Sequence, residues 1–161
     1  MTSATPNTSA SNEEEFRMGV MPRAELSLAT SRIAKERATQ ANTKEFAGFE
    51  FEEAVAVLSV LKSLKTPTIT LDAKAEGTLN EIETASQGAA FDRAYIAAQL
   101  KNHEELYELA DNYLTNAPVE ESDDAEMQGR RLATLARATF KEHVLICTRI
   151  SRELQGQTMS A

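Results

Sequence analysis

The sequence predicts an all-α protein with ferritin-like connectivity: a four-helix bundle with a long crossover, carrying a short extra helix, between its second and third long helices. Two observations carry this expectation. Ala, Leu, Glu, Lys and Arg dominate while aromatics make up only 6% of the 161 residues, a composition that favours helices over strands. Three of the four prolines, Pro22, Pro67 and Pro118, also fall at the edges of segments with helical periodicity.

Residues 1–15 contain almost nothing to bury, and Ser, Thr, Asn and a Glu triplet mark them as a disordered tail. The tail has neither a basic start nor an apolar stretch, so it is not an intact secretion signal. Either the protein is cytoplasmic, or it is exported and its signal has been replaced by the initiating Met. A single domain is expected over 16–156, with 157–161 disordered. Pro22 fits the first turn of the first long helix, where a missing N–H costs little. Leu26, Ala29 and Ile33 continue it at helical spacing. A second helix is predicted from Thr43 to about Leu64, ending before Pro67. The β-branched run Thr66–Leu71 reads as extended loop. Asp72 caps a short helix to about Ser86, closed by Gly88. A third long helix runs from Ala89 to about Leu114, and a fourth follows the acidic linker Val119–Asp124 and ends near Gly156.

Charge and composition exclude several functions. A net charge of −8 argues against nucleic-acid binding, which needs a cationic face. No apolar run approaches the roughly 20 residues of a membrane span. The single cysteine, Cys147, rules out an internal disulfide framework. There is no phosphate-cradling glycine loop and no nucleophile elbow, and no small-molecule substrate is indicated.

The helical wheel is more informative. His103 is central to the stripe Ile96, Tyr107, Ala110 and Leu114, and His143 to the stripe Leu132, Ala136, Cys147, Ile150 and Leu154. Glu50 is central to Ala47, Ala54, Val57, Leu58 and Leu61, with Glu53 toward the edge. Glu25 lies near the stripe of the first long helix. Counted from the end that carries the first interhelical turn, Glu50 lies about 9 residues in, His143 about 12, His103 about 13 and Glu25 about 16, a spread of roughly 10 Å. A buried carboxylate is costly unless paired or metal-bound. His103, His143, Glu50, Glu53 and Glu25 are therefore the candidate metal ligands, for Fe, Mn or Zn. The Glu-x-x-His pair of di-iron bundles is absent, because Leu100 and Phe140 stand three residues before the histidines. A reduced site for one metal is what the residues allow, and the incomplete set argues against an oxidase or other enzyme.

A structural alternative stands beside it. Arg32 lies at nearly the depth of Glu50 and could pair with it, leaving the histidines as hydrogen-bonded core groups. Cys147 reads as a small buried group before it reads as a soft ligand. The leftover apolar residues Phe49, Phe51 and Val60 suggest a face for a homo-oligomer or protein partner.

The segments Phe91-Asp92-Arg93-Ala94-Tyr95, His103-Glu104-Glu105-Leu106 and Lys141-Glu142-His143-Val144 resemble a bacterial ferritin-like family, domain of unknown function family 4142. Residues 44–53, from Lys44-Glu45-Phe46-Ala47 to Glu53, are similar to its branch with a Phe-Ala-x-Phe-Glu-x-x-Glu pattern. The similarity covers about 17–154. It implies a ferritin-like four-helix fold, location in the periplasm or cell envelope, no established activity, and functional weight on Asp92, His103, His143, Glu50 and Glu53. Where many relatives carry an Asp-His pair, this chain has Glu53-Ala54. A structural or interaction module of the envelope, without metal, is the alternative the resemblance leaves open.

Overall fold

A computed structural model describes residues 7–158 of the chain. It contains helices α1 (Glu13–Arg37), α2 (Ala41–Ser63), α3 (Ala73–Thr84), α4 (Ala89–Asn116) and α5 (Asp124–Thr158), and no strand among the described residues. The protein is an all-α bundle of four long helices, with α3 on the crossover between α2 and α4. The expectations of disorder at 1–6 and 159–161 concern residues outside those described.

Helix α1 begins earlier than Pro22. Asn12 caps it by accepting from the Glu15 amide at 2.8 Å, and the Glu15 carboxylate accepts in turn from the Ser11 amide at 2.8 Å. Glu13, Glu14 and Glu15, assigned above to the tail, suit the positive end of the helix dipole. Pro22 therefore sits inside α1. One lost backbone hydrogen bond is outweighed by burial of Phe16, Val20, Met21 and Ala24 on the same face. The other ends follow local chemistry. Gln40 caps α2, Asp72 caps α3, and Gly88, at φ 98°, takes the left-handed turn into α4.

The ends also fix the directions of the helices. Glu13 at the start of α1 donates its amide to Glu126 at the start of α5, and Arg17 reaches Leu64 and Thr66 just beyond α2. At the opposite end Asp92, early in α4, accepts from the Thr39 and Gln40 amides. Gln40 also reaches Glu153, late in α5. Helices α2 and α4 thus run parallel to each other and antiparallel to α1 and α5. Between the ends the core divides in two. One apolar cluster holds Phe16, Met21, Leu61, Leu109 and Phe140, and the other holds Phe46, Phe91, Tyr95, Ile150 and Leu154. The buried polar residues that matter most lie where the two meet.

Candidate metal centre

Three helices bring one side chain each to that junction. Glu50 from α2, His103 from α4 and His143 from α5 are 3%, 1% and 8% exposed. They face the middle because each is flanked at helical spacing by core residues: Ala47 and Ala54 around Glu50, Gln99 and Leu106 around His103, Phe140 and Cys147 around His143. Phe46 lies edge-on to His143, with centroids 5.3 Å apart, and Phe140 edge-on to His103 at 6.2 Å.

The three contacting atoms form a nearly equilateral triangle. Glu50 Oε2 is 3.0 Å from His143 Nδ1 and 3.3 Å from His103 Nε2, and the two ring nitrogens are 3.2 Å apart. Despite these distances no hydrogen-bond donor is aligned with Glu50 Oε2 among the described residues. The rings are held from behind. His103 Nδ1 lies 2.8 Å from the Gln99 carbonyl, which can only accept, so Nδ1 carries the proton and a neutral ring turns its Nε2 lone pair into the triangle. His143 Nε2 lies 3.3 Å from Glu53 Oε2. With its proton there, the His143 Nδ1 lone pair also points inward. Gln99 is fixed in turn by hydrogen bonds to Thr30 and Ser27 of α1.

Electrostatics favour a positive charge in this space. Burial alone raises the Glu50 pKa, but His103 and His143 more than reverse it and hold the carboxyl down at about 2. Burial likewise disfavours a charged His103, yet the Glu50 charge and the Gln99 carbonyl raise its pKa overall. Glu53 moves the other way: partial burial raises its pKa, His143 works against the rise, and the Glu50 charge adds to it.

A small cavity of about 20 Å³ adjoins the triangle. Its walls include Glu50, Glu53 and His103, together with Ala24 and Ser27 of α1.

The other predicted residues are placed elsewhere. Glu25 is half-buried on α1 and is not among the residues that converge. Arg32 is exposed and is not a partner of Glu50, whose neighbours are the two histidines. Asp92, fully buried, belongs to the α1–α2 link: it accepts from the Thr39 amide and hydroxyl and from the Gln40 amide. Cys147 is buried within the apolar cluster, and burial followed by the Glu50 charge pushes its thiol up to about 12. It stays a neutral thiol. Sequence reasoning missed Gln99, which acts through its backbone carbonyl, and Ser27. The only signal for the latter was a small polar stripe, Ser27, Thr30 and Ser31, on the inner face of α1.

Residues 1–144 match the family described as Domain of unknown function (DUF4142). The chain belongs to this family. The matched region includes Glu50, His103 and His143, ending one residue beyond the last of them. No curated protein and no solved structure matches the chain. No helix among the described residues is long and apolar enough to cross a membrane.

Proposed function

We propose that this member of the DUF4142 family binds one divalent transition-metal ion, held by Glu50 Oε2, His103 Nε2 and His143 Nδ1. Glu53 and the Gln99 carbonyl orient the two imidazoles from outside. The observation that carries the reading is the triangle itself. Donors on one ion at about 2.0–2.2 Å lie roughly 3–3.5 Å from one another, and the three edges here are 3.0, 3.2 and 3.3 Å. A buried carboxylate oxygen without an aligned donor, facing two lone pairs, is a cation site by its charge. Carbonyl and carboxylate partners behind the rings are the usual support for ligating histidines. Two imidazoles and one carboxylate suit Fe(II), Mn(II) or Zn(II). The metal would supply Lewis acidity, and the chain's own residues bind it, exclude bulk water and fix the tautomers. We assign this role to the periplasm or cell envelope on the strength of the family resemblance.

The test is thermal melting with Fe(II), Mn(II) or Zn(II) against chelator. A metal at 100 times its Kd is expected to add about 2.7 kcal/mol to stability. The double variant His103→Ala/His143→Ala is expected to lose that gain entirely. An unchanged wild-type melting temperature in all three metals overturns the reading.

A second reading is favoured by exposed apolar side chains on α2 and α5. Phe49 is 62% exposed, Leu135 71% and Leu145 63%, apolar surface that a second copy could cover. Phe51 is less available for such contact, since the Lys35 ammonium covers its ring at 4.2 Å. Sedimentation across a concentration series should show assembly that Phe49→Asp abolishes, and a monomer at every concentration rejects it.

A further inference from the structure

Helix α1 contributes no ligand to the triangle, yet it forms one wall of the space beside it. That wall is built of small side chains: Ala24, 5% exposed, and Ser27, 2% exposed, stand where any larger residue would fill the gap. Val20, Ala54, Val57, Leu106 and Phe140 complete an apolar lining. The cavity of about 20 Å³ exceeds the roughly 10–15 Å³ that one water needs. Its polar wall groups, Glu50, Glu53, His103 and Ser27, supply the partners such a guest requires. A structural metal site is closed by four protein donors, whereas this one offers three. Glu50 and His103 line the cavity, and His143 does not.

Building on the metal reading above, we infer that the bound ion keeps an open coordination position directed into this cavity. That position holds water or hydroxide and exchanges it for a slender inorganic anion, such as azide, entering end-on. The centre is then a ligand-exchanging site rather than a structural clamp. The small residues of α1 set which ligands fit, because a packed interior leaves no room to adjust.

Cobalt(II) and azide provide the test, with the full chain and the visible spectrum as readout. Cobalt(II) is expected to bind the wild type, and azide to shift the ligand-field bands. Ala24→Leu fills the cavity from α1 and should weaken azide binding at least about tenfold while cobalt(II) affinity stays within about threefold, since no ligand is touched. Ala54→Val fills it from α2 and serves the same purpose if Ala24→Leu does not fold. Azide that leaves the wild-type cobalt spectrum unchanged overturns the inference but not the metal site, as does azide binding of undiminished strength in a folded filled variant. Cobalt(II) and the other divalent metals all failing to bind would instead remove the metal reading and this inference with it.

Discussion

Asp92 and Glu50 are both buried carboxylates on long helices, and the structure treats them in opposite ways. Asp92 is saturated. Two backbone amides and a hydroxyl, from Thr39 and Gln40, donate to it at 2.7–3.0 Å. Its negative charge is answered by dipoles of the link between α1 and α2, and it pins that link to the start of α4. Glu50 receives no amide. Its inner oxygen faces two imidazole nitrogens that are themselves held from behind. One carboxylate is completed by the fold, while the other keeps an oxygen with no aligned donor. Burial is therefore a poor guide to function in a helical bundle, and the direction from which hydrogen bonds arrive is a better one.

The contrast can be broken at either end. Asp92→Ala should have the largest effect on stability, because it strips a buried link of several charge-assisted hydrogen bonds. A loss of about 3 kcal/mol is expected, or roughly 6–12 °C in Tm, with chelator or with metal alike. Glu50→Gln should destabilise the chelated protein less than Asp92→Ala does, since the lost attraction to the histidines is offset in part by removal of a costly buried charge. It should nevertheless abolish the rise in Tm on adding metal. A Glu50→Gln protein that still responds to metal would place the ion elsewhere.

The smallest effect is the pH dependence of the metal-free protein, followed as Tm in chelator. The groups facing His103 are Glu50 and Glu53 of α2, His143 of α5 and the Gln99 carbonyl of its own helix. Its pKa is raised from 6.5, so its contribution is complete below about pH 6.5 and is lost as the pH rises through the folded value. The Glu50 pKa falls from 4.5 to about 2, so its contribution is present above about pH 4.5 and is lost as the pH drops toward 2. Stability from this pair should peak between those limits and decline on either side of them. Metal binding should show the reverse trend on the basic side, because deprotonated imidazoles are what an ion requires. A flat profile from pH 5 to 8 in chelator would mean that the triangle holds no shared proton.

Much of this was legible in the sequence. Helical periodicity and proline placement led to the all-α bundle, the cap at Asp72, and a crossover with its short helix, whereas Gly88, expected to close α3, instead opens α4. The wheel turned Glu50, His103 and His143 inward because angular position depends only on residue spacing. It was less informative about Glu25 and Arg32. Both stand beside inward positions of α1, and an offset of one residue turns a side chain by about 100°. The start of α1 was hidden because burial of Phe16 and Val20 is a tertiary effect, and the proline drew the boundary toward itself. Asp92 drew attention through the family pattern, and its task is architectural. Gln99 could not be found by chemistry of type, since its contribution to His103 is a main-chain carbonyl that any residue would carry.

Arg37, the last residue of α1, aims its guanidinium at the carbonyls of Ile82, Glu83 and Ala85 where α3 ends, and rests on the Phe91 ring at 4.5 Å. Helix α3 buries one side chain, Ile82, among its described residues. Its position thus rests on polar ties, Arg37 at its end and Lys74 with Glu105 of α4 near its start, more than on oily contact. With so little apolar burial, the amides of this crossover are expected to exchange faster than those of the long helices.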